Sequence, residues 1–149
     1  MDDLAPMLDR ITRTVWTTAL GLQIGRVPGD PLPSWDQPPI SASIDIRGEW
    51  NGTVLLSAPE ALIRRFARIL FGPEPAELGR IELDDTLGEL VNIIGGNLKS
   101  CLPSPCRLSL PVQVPAGGAP EASEGKGCSD LCRLSFVCEG QPLAVLVRR

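Results

Sequence analysis

The sequence predicts an α+β fold in which three helices cover an antiparallel or mixed β-sheet, in the order α-β-β-α-α-β-β-β. Three observations carry this expectation. Apolar residues recur at helical spacing in three separate segments. They alternate with polar residues in two adjoining runs between 40 and 56. Further alternating runs, separated by turn formers, fill the chain from Leu108 onward.

The first helix is expected over Leu4 to Leu22, where Leu4, Met7, Leu8, Ile11, Val15 and Leu22 share one face. Pro28, Pro31, Pro33, Pro38 and Pro39 follow too densely for helix or central strand, so 28–39 is a Pro-rich loop. Ile40, Ala42, Ile44 and Ile46 then alternate with Ser41, Ser43, Asp45 and Arg47. Gly48-Glu49 turns the chain into a second run, Trp50 to Leu56, making an antiparallel hairpin. Ser57, with Pro59 in the first turn and Glu60 three residues on, predicts a capping box. The helix it opens buries Leu62, Ile63, Phe66, Ile69 and Leu70 and ends at Phe71-Gly72-Pro73. Asp84 and Asp85 favour the start of a third helix, which Pro103 and Pro105 stop after about Leu102. One strand over Leu108, Leu110, Val112 and Val114 leads into a flexible loop, 115–127. Strands from Leu131 to Cys138 and from Leu143 to Val147 follow, joined at Glu139-Gly140-Gln141.

Composition narrows the chemistry. The 149 residues suit one domain, 1–149, with a core of its own. With no histidine, there is no Ser-His-Asp or Cys-His nucleophile, no His-ligated zinc and no histidine base. A net charge of −4 without blocks of like charge leaves no electrostatic footprint for nucleic acid. Met1-Asp2-Asp3 is acidic where a signal peptide needs a basic region, and no apolar run reaches membrane-spanning length. A cytoplasmic protein that binds no membrane is therefore expected. The five cysteines, Cys101, Cys106, Cys128, Cys132 and Cys138, include no Cys-x-x-Cys pair. Cys132 and Cys138 share a strand face with Leu134 and Phe136, as small buried hydrophobes would, so no metal site is expected.

The third helix carries the functional signal. At 100° per residue, Leu87, Leu90, Val91, Ile94, Leu98 and Cys101 form its core face. Asp85, Glu89, Asn92 and Gly96 fall on the opposite side, so Glu89 and Asn92 are i,i+3 neighbours reaching into solvent together. Ile93 flanks them. Gly95-Gly96 costs a helix on the order of 2 kcal/mol relative to alanine, and close approach of another protein would be a reason for it. Thr86-x-x-Glu89 also fits a capping box, which would give Glu89 a structural task instead.

Asp85-x-x-x-Glu89-x-x-Asn92 resembles the signature of the CheC/CheX family of phosphatases that act on chemotaxis response regulators. The family pattern is Asp or Ser, then Glu, then Asn, with a proline roughly twenty residues later. Of nine glutamates, Glu89 is the one with asparagine at the third position after it. Pro115, after 22 intervening residues, and Pro111, in the sequence LSLP, both answer to that proline. IDIRGEWNGTVLLSAPE and NIIGGNLKS extend the similarity. One copy of the signature, rather than two, is similar to the single-site CheX branch, which implies a CheX-like fold and a homodimer joined through its sheets.

The resemblance further implies a phosphatase for the aspartyl phosphate of a CheY-like receiver domain. The receiver would supply Mg2+ and a lysine, and this chain would hold no cofactor of its own. Asn92 would orient the attacking water, Glu89 would pair with the receiver's lysine, and Asp85, Ile93, Gly96 and Lys99 would contact the partner. Two other readings stay open. One is a non-catalytic CheX-like module that binds a receiver, flagellar or signalling partner through the same helix. The other is a thiol-based redox protein acting through Cys128 or Cys132.

Overall fold

The structure, a computed structural model, describes residues 3–72, 78–114 and 129–149. Among them, helices α1 (Leu4–Val15), α2 (Glu60–Phe71) and α3 (Arg80–Lys99) cover one face of a seven-stranded antiparallel sheet. The strands are β1 (Gly25–Arg26), β2 (Ile40–Gly48), β3 (Gly52–Ala58), β4 (Cys106–Leu108), β5 (Val112–Val114), β6 (Asp130–Cys138) and β7 (Gln141–Arg148). Their order is β1-β6-β7-β3-β2-β4, with β5 also paired to β2. The expected α+β class, with helices over the sheet, is the one observed.

Alternation decides which face is covered. Ala42, Ile44 and Ile46 of β2, Val54 and Leu56 of β3, and Leu143, Val145 and Val147 of β7 all point into the cluster that the helices close. The β2–β3 hairpin keeps strict register from Ile40 opposite Ala58 to Ile46 opposite Gly52. Glu139 and Gly140 link β6 to β7 with φ of 50° and 82°, a two-residue turn whose twist suits the strands on either side.

Several local expectations are corrected. The first helix does not run uniformly to Leu22. After Val15 it widens into a π-turn, Trp16–Leu20, and Gly21 closes it in the left-handed region at φ 68°. Ser57 does not cap α2. It lies in β3, where its hydroxyl and that of Ser41 pair at 2.6 Å in the sheet interior, and Pro59 stands before the helix without a side-chain cap. Glu60 instead receives Arg64. The Pro-rich segment is fastened to the sheet: Arg26 holds Asp30, the Ser135 hydroxyl donates to the Pro31 carbonyl, and the Trp35 indole donates to the Pro142 carbonyl at 2.9 Å.

The strand expected over 108–114 is two short ones. Leu108 faces Ile46 and Val112 faces Ser43, so three residues of β4–β5 oppose two of β2, a bulge at Ser109–Pro111. Pro111 has no N–H for the ladder, and a bulge accommodates that. Pro73, the loop over 115–127, Pro115 and Cys128 lie outside the described residues.

Candidate functional site

α3 begins four residues before the expected start at Asp84. Gly79 is its N-cap, and the Glu82 carboxylate accepts the Gly79 N–H at 2.8 Å. Asp84 and Asp85 are therefore inside the helix, where Asp84 pairs with Arg80. The helix ends at Lys99, so Cys101 stands in the following turn and is exposed, not part of the core face. The rest of that face is as expected: Leu87, Leu90, Val91, Ile94 and Leu98 are buried.

Glycines set how closely α3 approaches the sheet. A Cβ on Gly95 would meet Ile44 Cγ2 at 2.9 Å and Leu108 Cδ2 at 3.4 Å. A Cβ on Gly88 would meet the Pro111 ring at 3.4 Å, and the Gln113 amide donates to the Asp84 carbonyl at 3.1 Å. The helix is thus clamped along one side by β2 and the β4–β5 bulge. Gly95 is explained by packing within the chain rather than by a partner. Gly96 is different, since its Cβ would make only an ordinary contact, 3.8 Å from Leu108 Cδ1.

On the outward side, Asp85 and Glu89 are exposed, and Asn92, Ile93 and Gly96 are partly so. Lys99 is half-buried in the last turn, where a cation suits the helix dipole. Most polar groups of α3 are engaged by the chain itself. Besides Arg80–Asp84 and Glu82–Gly79, the Thr86 hydroxyl donates to the Glu82 carbonyl at 2.8 Å and Asn97 to the Ile93 carbonyl at 3.0 Å. Thr86 is buried mid-helix, so the capping box with Glu89 does not form. Asp85, Glu89 and Asn92 make no side-chain hydrogen bond or ion pair with any described residue. Asn92 and Asn97, equivalent by composition, are thus separated by geometry: one amide is spent on its own helix and the other faces outward.

Among the described residues, no group of three or more Cys, Asp or Glu side chains could hold a metal ion. No helix there is long and apolar enough to cross a membrane. Cys132 is half-buried and Cys138 buried, both on the inward face of β6. Burial pushes both thiols up, Cys138 to about 11, so the thiolate that redox chemistry needs is disfavoured at both.

Residues 40–132, more than half of the chain, match the family described as chemotaxis phosphatase CheX. The chain belongs to the CheX family. Solved structures agree at the level of fold. The chemotaxis protein CheX from Desulfovibrio desulfuricans superposes with a TM-score of 0.74 at 16% identity, over 97% of each chain. CheX from Vibrio vulnificus gives 0.71 at 17% identity, over 95% of this chain and 93% of that one. The CheX–CheY–BeF3–Mg2+ complex from Borrelia burgdorferi gives 0.70 at 20% identity, over 97% and 96%. No curated protein matches the sequence significantly.

The matched region spans the CheX-like signature on α3 and the β4–β5 bulge beside it. That bulge is the feature sequence reasoning missed. Pro111 alone gives a hint of it, because a proline in a strand pattern marks an edge or an interruption.

Proposed function

We propose that this CheX-family chain hydrolyses the aspartyl phosphate of a CheY-like receiver domain, with Asn92 orienting the attacking water and Glu89 anchoring the receiver's lysine. The observation that carries the reading is the Glu89–Asn92 pair, bonded to no described residue, on a helix whose other polar groups are mostly spent internally. A carboxamide can accept one hydrogen bond and donate two, which fits it to hold a water by one atom and a phosphate oxygen by another.

An acyl phosphate is already activated, and phosphoryl transfer asks mainly for alignment and charge stabilisation. The water oxygen bonds to phosphorus in line as the bond to the aspartate oxygen breaks. The aspartate leaves as carboxylate, and the proton lost by the water goes to the phosphate released. Asn92 acts on this step by position, in a role similar to the water-orienting glutamine of GTPases. Mg2+ and the lysine belong to the receiver, as substrate.

Asp85, Ile93, Gly96 and Lys99 border the pair as partner contacts, and a homodimer joined through the sheets belongs to the same reading. The Borrelia complex supports a CheY-like partner, since its chain shares this fold. The test is the decay of a panel of phosphorylated receivers with wild type and Asn92→Ala. A non-catalytic module would bind a receiver without speeding phosphate loss from any of them.

A further inference from the structure

The two most exposed large apolar side chains among the described residues are Leu110, 84% exposed, and Ile81, 72% exposed. Ile81 lies on the helix that carries Glu89 and Asn92, and Leu110 lies in the bulge next to that helix. Ile81, Asp85 and Asn92 are related by four and eleven residues, which brings all three within about 40° of one line along α3. Ile81 is thus one end of the ridge, roughly 16 Å along the axis from Asn92 at 1.5 Å per residue. Leu110 lies in the bulge that packs beside the same helix. Its neighbour Pro111 packs on α3 at Gly88, the residue before Glu89, and the bulge turns Leu110 out of the ladder.

An exposed leucine or isoleucine is ordinary taken singly. Here the helix that carries Ile81 and packs on the Leu110 bulge also carries carboxylates, Asp85 and Glu89, that no described group of the chain neutralises. Apolar groups beside unpaired charge give an interface both area and orientation, since the charge selects the partner and the apolar groups hold it. We infer that Ile81 and Leu110 are specificity contacts for a protein partner, a CheY-like receiver, whose docking face has a basic group to meet Glu89 and apolar residues beside it. This rests on the reading of that face as a receiver-docking site and adds the two side chains that select among receivers.

The test is binding of CheY-like receivers, loaded with beryllofluoride and Mg2+, to the full chain and to Ile81→Ser, Leu110→Ser and the double variant. Leu32→Ser, at an exposed leucine on the Pro-rich loop, is the control. Each single variant is expected to weaken binding about five- to tenfold and the double variant more, as 1–1.4 kcal/mol per contact implies. Melting temperature and oligomeric state should not change, and Leu32→Ser should bind as wild type. Wild-type affinity in the double variant, while wild type binds and dephosphorylates a receiver, overturns this inference alone. Loss of a dimer in the Ile81 or Leu110 variants also overturns it, since the occupant would then be a second copy. If wild type binds no receiver, both this inference and the docking reading fail.

Discussion

Gly95 passes so close to Ile44 that a Cβ there would stand 2.9 Å from the isoleucine Cγ2. This contact between α3 and β2 fixes the rotation of the helix, and in that rotation Glu89 is exposed and Asn92, about 60° round from Gly95, is partly so. Gly95→Ala would gain about 1 kcal/mol of helix propensity but must displace a stiff β-branched side chain, at about 1–3 kcal/mol. It should lower the denaturation midpoint. Gly96→Ala meets only an atom 3.8 Å away, so it should raise stability by about 0.5–1 kcal/mol. Urea melts of the two variants decide this, and equal shifts in one direction would contradict the packing.

Ser57 and Ser41 share a buried hydroxyl pair at 2.6 Å. Ser57→Ala leaves the Ser41 hydroxyl without that partner and should cost about 1–3 kcal/mol. The loss should come with no change in helix content, because Ser57 does not cap α2. A selective fall in amide protection over 60–64 would instead restore the capping role.

How far the sequence could be read depends on the range of the interaction. The β2–β3 hairpin, the Glu139-Gly140 turn and the inner face of α3 follow from periodicity and turn chemistry, both local. The start of α3 differs from the expected one because Asp84-Asp85 resembles a cap, whereas Glu82 reaching back to Gly79 supplies the actual one. Ser57 looked like a cap because its serine partner lies on the neighbouring strand, out of local view. The shared outward side of Glu89 and Asn92 on α3 is legible because i,i+3 spacing on a helix is local. That Asn97 is spent on Ile93 while Asn92 is not depends on side-chain conformation, which spacing does not encode. Pro111 meets Gly88 through a long-range packing of the bulge on α3, which periodicity does not encode.

Burial holds the Cys138 thiol at about 11, with the Glu139 carboxylate adding to the shift. The raised value means the fold favours the neutral thiol. Its contribution is complete below the unfolded value of 9.0 and is lost as pH rises towards about 11. Stability should therefore fall across that window, and less so in Cys138→Ala relative to its own value at pH 8. At neutral pH a thiol reagent should label exposed Cys101 well before Cys138 in the native protein. Equal labelling rates would contradict the burial.

Glu89→Ala should raise KM for a phosphorylated receiver tenfold or more, about 1.5–3 kcal/mol for a lost charge-assisted contact. Reversing the charge of the receiver's lysine should restore part of the affinity lost by Glu89→Lys. If both changes weaken binding independently, Glu89 does not meet that lysine.

Asn92→Ala tests the central proposal, because it removes the amide proposed to orient water, and that amide bonds no described residue. Single-turnover decay of a phosphorylated receiver, at saturating wild type and saturating Asn92→Ala, separates chemistry from docking. The account predicts equal affinity for the beryllofluoride-loaded receiver, an unchanged melting temperature, and phosphate release slowed on the order of 10²-fold or more. Release by Asn92→Ala as fast as by wild type would contradict it.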